Sequence, residues 1–266
     1  MKLGIIGCGN LGSALVKGIL ESEIETNGSV LISTRKQLVP EKLEGLNVEV
    51  LPNIELAQKA EMIVLCVLPN QIDAVLHEIK SVLDSSKLIV STVTGVEIEQ
   101  IKNRLKNDNL QVVRAMPNTA IAVKESMTCI SYSENVLERN KKIVRDLFDS
   151  VGITEVVREE QMSSATALTA CGIAFFLRSI RAASQGGVEI SFHSEEALRM
   201  AAQTALGAAK LLIENETHPE REIDKVTSPN GCTIIGLNEM EHSGFSSSFI
   251  KGIRKSAERA GKLYED

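Results

Sequence analysis

The chain has 266 residues, 43% hydrophobic and 24% charged, the composition of an ordinary soluble globular protein with room for one or two domains. A net charge of −6, 3% aromatic residues and no Trp argue against nucleic acid as a partner, which wants a basic face and stacking rings. Five scattered cysteines without a C-x-x-C pair (Cys8, Cys66, Cys129, Cys171, Cys232) suit a reducing cytoplasm and exclude both a disulfide framework and a zinc cluster. The longest clean apolar run, Met62 to Leu68, falls far short of the roughly 18 residues of a membrane span, so no membrane is expected as partner.

The N-terminal apolar run Leu3-Gly4-Ile5-Ile6 is interrupted by glycine and lacks a small-residue cleavage site, so it reads as a first strand and not a signal peptide. Directly behind it Gly7-Cys8-Gly9-Asn10-Leu11-Gly12 fits G-x-G-x-x-G. A strand enters and a helical pattern leaves. In that setting the first glycine permits the turn, the second lets a pyrophosphate approach the backbone, and the third lets the helix pack close to the strand. The helix N-terminus then presents free N–H groups to the phosphates.

Up to residue 157, short β-branched runs alternate with helical patterns, as expected of a parallel sheet with crossover helices. The expected strands are Lys2–Ile6, Val30–Ser33, Met62–Cys66, Leu88–Ser91, Gln111–Arg114 and Met127–Tyr132. The expected helices are Leu11–Glu21, Ile54–Ala60, Ile72–Leu83, Ile98–Leu105 and Val136–Phe148. The fold class is α/β: a Rossmann-type doubly wound, mostly parallel sheet over 1–157, followed by an all-α domain over 158–266.

The strand Val30–Ser33 leaves through Ser33-Thr34-Arg35-Lys36. A carboxylate at this place holds the 2′-hydroxyl of NAD. Here two hydroxyls and two cations stand instead, a set suited to a 2′-phosphate, which favours NADPH over NADH. The plainer alternative is that Arg35 and Lys36 decorate a solvated turn. In doubly wound sheets the carboxyl ends of the strands line the ligand crevice. The exits Cys66-Val67-Leu68-Pro69-Asn70-Gln71, Thr92-Val93-Thr94-Gly95 and Arg114-Ala115-Met116-Pro117-Asn118-Thr119 are therefore expected along the same cofactor. The cofactor candidates are Gly7, Gly9, Asn10, Leu11, Gly12, Ser33, Arg35, Lys36, Asn53, Val67, Leu68, Pro69, Thr94, Gly95, Met116, Pro117 and Asn118.

Beyond Arg158 the alternation stops. Alanine-rich helical segments follow at Ser164–Gln185, Ser194–Glu214 and from Ile234 to the C-terminus. Their small residues allow close helix–helix approach, within the chain or between chains. Ser194, with Glu195 and Glu196 behind it, reads as an N-cap, Pro219 as a first helical residue, and Gly186-Gly187 as a helix C-terminus. Between the last two segments, Val226-Thr227-Ser228-Pro229-Asn230-Gly231-Cys232-Thr233 presents hydroxyls and backbone N–H groups at a helix start. Such a nest binds a small anion without an arginine, although Ser-Pro and Asn-Gly are also common turn chemistry.

The glycine turn, Arg114-Ala115-Met116-Pro117-Asn118-Thr119, Ala205-Leu206-Gly207-Ala208-Ala209 and the 226–233 segment together resemble the Δ1-pyrroline-5-carboxylate reductase family over almost the whole length. The 226–233 segment is the most specific mark, similar to that family's Thr-Ser-Pro-Gly-Gly-Thr-Thr loop. Departures are Thr169-Ala170-Cys171-Gly172-Ile173-Ala174 for Ser-Gly-Ser-Gly-Pro-Ala, Leu68-Pro69-Asn70 for Lys-Pro-Gln, and Asn230 and Cys232 within the loop. Asn tolerates positive φ, so Asn230 is expected to preserve the loop shape.

The resemblance implies NADPH-dependent hydride transfer to the C=N carbon of a five-membered cyclic imino acid, giving proline. It assigns the substrate carboxylate to Ser228, Pro229, Asn230, Gly231, Cys232 and Thr233, with the Thr233 hydroxyl as the catalytic candidate, bonded to the carboxylate or to the ring nitrogen. It also implies a cytoplasmic homodimer or higher homo-oligomer assembled through the C-terminal helices, which makes 1–157 the NADP-binding domain and 158–266 the substrate-binding and dimerisation domain. The alternatives are a non-catalytic nucleotide-binding paralogue with a regulatory role, and a reductase of a different cyclic imine. The β-hydroxyacid dehydrogenases share the fold plan but rely on a lysine in the helix after the nucleotide domain, and there is none between Lys142 and Lys210. The four histidines (His77, His193, His218, His242) show no ligand spacing, and no metal site is expected.

Overall fold

The computed structural model describes residues 1–22 and 24–264. The chain forms two compact units, residues 1–171 joined by the segment from Arg254 onward, and Gly172–Ile253.

In the first unit the order is β1 (Leu3–Ile6), α1 (Asn10–Leu20), β2 (Val30–Ser33), β3 (Val48–Val50), α2 (Asn53–Lys59), β4 (Met62–Leu65) and α3 (Ile72–Ile79). Then come β5 (Leu88–Ser91), α4 (Ile98–Leu105), β6 (Gln111–Met116), β7 (Ser126–Tyr132), α5 (Glu138–Asp149), β8 (Gly152–Val156), α6 (Met162–Ala165) and a π-helical turn, Thr166–Cys171. The strands form one eight-stranded sheet in the order β3-β2-β1-β4-β5-β6-β7-β8. Every neighbouring pair is parallel except β6 and β7.

The central strands β1 and β4 are apolar throughout because helices cover both faces of the sheet. Leu3 and Ile5 of β1 turn to the side of α1 and α5, where Leu15, Val16, Ile19, Leu147 and Phe148 bury with them. Ile6 turns to the other side, with Leu56, Leu76, Ile79 and Ile101 of α2, α3 and α4. This is the period-2 alternation of a strand serving two cores.

Two strands, β3 and β8, escape the sequence reading, and they occupy the two edges. β3 has three residues and none is fully buried, while β8 leaves Ile153 and Val156 about half exposed. An edge strand has only one paired flank, and the hydrophobic pattern weakens accordingly. β6 runs on to Met116, two residues past the expected end, and carries a cation within the sheet. Arg114, 2% exposed, is balanced by Glu159, whose Oε1 accepts from Arg114 Nη1 at 2.8 Å and from the Ile98 N–H at 3.0 Å.

In the second unit lie α7 (Gly172–Glu189), α8 (Ser194–Asn215), α9 (Pro219–Lys225), α10 (Cys232–His242) and the start of α11 (Phe245–Ala260). Here three expectations need correcting. Gly186 and Gly187 do not end a helix, since α7 passes through them to Glu189 and closes with Ser191 at φ +84°. A β-carbon on Gly187 would sit 2.9 Å from that of Ala197, so the glycine serves close packing of α7 on α8. Ser194 is the first helical residue, and His193 is the N-cap, its N–H donating to Glu196 Oε2 at 3.2 Å. The segment from Ile234 is not one helix, because Gly244 at φ +80° separates α10 from α11. Pro219 does open α9, behind a His218 cap whose Nδ1 accepts from the Glu220 N–H.

Candidate active site

Parallel pairing delivers the C-terminal ends of β2, β1, β4, β5 and β6 side by side along one edge of the sheet. The switch point falls at β1, the strand flanked by β2 and β4, where ligands of such sheets bind. There Gly7 takes φ +99°, and a β-carbon on it would sit 2.7 Å from the Cys66 carbonyl oxygen. Gly12 is required by packing, since its β-carbon would sit 2.3 Å from the Gly7 carbonyl oxygen. Gly9 differs from both. Its backbone is extended with negative φ, and a β-carbon on it would meet nothing within 4 Å.

Neither conformation nor packing within the protein therefore demands glycine at position 9. The open space lies at the N-cap of α1, where no side chain caps the helix, so the first-turn N–H groups face outward. That geometry fits a pyrophosphate against the backbone. Asn10 and Leu11 form the first turn, and Asn10 Oδ1 accepts from Lys42 Nζ at 3.1 Å.

At the end of β2, the Ser33 carbonyl accepts the Gly7 N–H at 3.0 Å, which ties the neighbouring turn to the glycine turn. Thr34 folds that turn back on itself, its Oγ1 donating to the Leu38 carbonyl at 2.9 Å and accepting the Leu38 N–H at 3.1 Å. Arg35 and Lys36 project from it exposed and, among the described residues, form no ion pair. An unneutralised guanidinium and an unneutralised ammonium group at the end of β2 fit a 2′-phosphate. Asn53, also expected at the cofactor, opens α2 and spends its amide on Glu78 Oε2 at 2.7 Å.

β4 leaves through Cys66 and Val67 into exposed Leu68, and Pro69 begins a 3-10 turn. The Thr92 hydroxyl at the end of β5 donates to the Leu65 carbonyl at 3.0 Å, and Thr94 Oγ1 reaches Met116 Sδ at 3.8 Å. These contacts join the β4, β5 and β6 exits into one surface. Asn118 is committed within the protein, its Oδ1 accepting the Ala120 N–H at 2.9 Å and its Nδ2 donating to the Thr169 carbonyl at 3.2 Å. Beneath the glycine turn, burial pushes the Cys8 thiol up to about 12, with Cys66 beside it adding to the shift, and pushes Cys66 up to about 11. Both remain neutral thiols at physiological pH and offer no nucleophile.

In the second unit the 226–233 segment forms a tight loop into α10. Asn230 takes φ +58°, the conformation expected of it, and Gly231 is the helix N-cap. A β-carbon on Gly231 would sit 2.5 Å from Ser228 Oγ, and the Gly231 N–H donates to the Ser228 carbonyl at 2.9 Å. Ser228, Pro229, Asn230 and Cys232 are exposed and Thr233 is half-buried, with no side chain capping α10. The loop thus offers hydroxyls and helix N–H groups together, a set that fits a carboxylate.

Sequence reasoning missed Lys42 and gave Thr92 and Thr169 no role of their own. Lys42 lies in a charged 3-10 turn that carries no motif, and Thr92 and Thr169 act through hydrogen bonds to backbone that spacing does not reveal. All four histidines are exposed, and no group of three or more His, Cys, Asp or Glu side chains is gathered as a metal site among the described residues.

Residues 159–263 match the family model for pyrroline-5-carboxylate reductase dimerisation, and residues 2–95 match that for NADP oxidoreductase coenzyme F420-dependent. Pyrroline-5-carboxylate reductase 2 of Dictyostelium discoideum is 43% identical over 98% of this chain and 92% of that protein. Pyrroline-5-carboxylate reductase 1 of the same organism is 46% identical over 98% of this chain, which spans half of that longer protein's length. The Plasmodium falciparum pyrroline carboxylate reductase with NADP bound superposes with a TM-score of 0.91 at 29% identity, covering 99% of this chain and 98% of that one. The chain belongs to the pyrroline-5-carboxylate reductase family.

Proposed function

We propose that the chain reduces Δ1-pyrroline-5-carboxylate to proline with NADPH as the reductant. When bound, the dinucleotide supplies a hydride to the imine carbon. Once its nitrogen is protonated the imine is already electrophilic, and the chain's task is placement. Gly7, Gly9, Asn10, Leu11 and Gly12 hold the pyrophosphate. Ser33, Arg35 and Lys36 hold the 2′-phosphate, and Val67, Leu68, Pro69, Thr94, Gly95, Met116 and Pro117 form the wall for the nicotinamide half. Ser228 to Thr233 bind the substrate carboxylate, with the Thr233 hydroxyl oriented by the first turn of α10.

The single observation that carries the reading is the unfilled space above Gly9, beside a turn bearing two unpaired cations. The test is isotopic. NADPH deuterated at the transferring position should place one deuterium on the product ring carbon adjacent to nitrogen that bears no carboxylate. Proline formed without that label would refute direct transfer.

The dimerisation match supports a homo-oligomer. The finer reading is a homodimer through the C-terminal helices, whose single-chain faces expose Phe176, Leu177, Leu198, Leu206, Ile235 and Ile250. Apolar area of this extent calls for a partner surface. Sedimentation of the purified chain as a monomer at micromolar concentration would refute it. The cytoplasm remains the compartment we assign, on cysteine usage.

A further inference from the structure

Asn118 was expected at the cofactor, yet its side chain is spent inside the protein, and its partners indicate a different role. We infer that Asn118 is a positioning residue that clamps the Met116-Pro117 exit of β6 to the π-helical turn Thr166–Cys171; this rests on the reductase reading above.

Four hydrogen bonds fix Asn118 itself, one of them its carbonyl accepting the Ile121 N–H at 3.2 Å. Its N–H donates to Ser126 Oγ at 3.0 Å, its Oδ1 accepts the Ala120 N–H, and its Nδ2 donates to the Thr169 carbonyl. Ser126 is itself 1% exposed and lies 3.3 Å from Thr128 Oγ1, so the anchor on β7 is internal. On the other side, the Thr166 and Thr169 hydroxyls donate back to the Met162 and Ala165 carbonyls at 2.7 and 2.9 Å. Such back-bonds disturb a helical ladder, and a π turn shifts its hydrogen bonds by one residue. The Thr169 carbonyl then takes an external donor, which Asn118 supplies.

The region is packed as well as bonded. Met116 of β6 and Cys129 of β7 bury together with Met162, with Ala165 and Ala170 packed against them. A shift of the π turn would therefore move Met116, which also meets Thr94 of the β5 exit. The wall assigned to the nicotinamide is thus held from behind. Small displacements of such a wall reduce turnover much more than binding, because most contacts to the dinucleotide lie elsewhere.

The test uses the full-length chain and N118D, which keeps the acceptor for the Ala120 N–H but sets a carboxylate against the Thr169 carbonyl. The inference expects kcat to fall about tenfold or more, the NADPH Kd from fluorescence titration to stay within about twofold, and amides of Thr166–Cys171 to exchange faster. If N118D does not fold, N118S, which shortens the side chain and removes the amide N–H that reaches the Thr169 carbonyl, is read the same way. A Kd that rises in step with the loss of kcat would make Asn118 a cofactor ligand and overturn the inference. So would an unchanged kcat or unchanged amide exchange. Should the wild-type chain fail to turn over the imine, the reductase reading falls, while exchange and NADPH titration still decide whether the clamp exists.

Discussion

The Gly7 N–H donates to the Ser33 carbonyl at 3.0 Å, so the turn assigned to the pyrophosphate and the turn assigned to the 2′-phosphate are hydrogen-bonded to each other. Their spacing is set by backbone and not by mobile side chains. Specificity for a phosphorylated cofactor then follows from which side chains project from the second turn.

The three glycines of the first turn should respond differently to a methyl group. G9A should change folding stability by no more than about 0.5 kcal/mol, because its β-carbon meets no protein atom, while NADPH affinity drops steeply. G12A should cost about 1–3 kcal/mol of stability, because its β-carbon would overlap the Gly7 carbonyl. Chemical denaturation beside NADPH titration separates the two. A G9A protein that binds NADPH normally would remove the cradle.

Arg35 and Lys36 should act only on the phosphorylated cofactor. A charged hydrogen bond to phosphate contributes about 1.5–3 kcal/mol, so R35A should raise the KM for NADPH roughly 10- to 100-fold and leave that for NADH unchanged. K36A should move in the same direction. Equal effects on both cofactors would place these cations elsewhere than at the 2′-phosphate.

Replacing Thr233 by Ala should lower kcat/KM for the imine by about 1.5–3 kcal/mol of transition-state binding, and Thr233→Ser should recover most of it. The helix N–H groups at that position stay in place in both variants, so the comparison isolates the hydroxyl. An unchanged kcat/KM for the alanine variant rules the role out.

The thiols give a pH-dependent prediction. Cys8 and Cys66 are both raised by burial, to about 12 and about 11. The folded chain thus keeps protons that the unfolded chain releases at the ordinary thiol value of 9.0. Their stabilising contribution is complete below that value and is lost as pH rises from there towards 11 and 12. Denaturation midpoints should fall over this range, and less so in C8S. Near neutral pH a thiol reagent should modify exposed Cys232 first, and rapid labelling of Cys8 would contradict the burial.

The sheet's inner strands were legible because helices on both faces force unbroken apolar runs, as in Met62–Leu65. β3 and β8 were not, because an edge strand needs no such run. The glycine turn was legible from its pattern together with the strand before it and the helix after it, and the 226–233 loop from its turn residues together with the family resemblance; there Asn230 adopts the left-handed conformation its residue type suggested. Gly186-Gly187 misled, since glycine serves close helix packing as readily as helix termination. Asn118 illustrates the limit of motif reading. Its place in a strand exit suggested a ligand, and the hydrogen bond to the Thr169 carbonyl adds a partner in a π turn that no periodicity announces.

The most direct test is to follow cofactor oxidation by the purified chain on adding Δ1-pyrroline-5-carboxylate, with NADPH and NADH in parallel. NADPH should be consumed only when the imine is present, one equivalent per proline formed, and faster than NADH at equal low concentration. NADPH bound tightly but not oxidised between about pH 6 and 9 would contradict the assignment and leave a nucleotide-binding protein without this reaction.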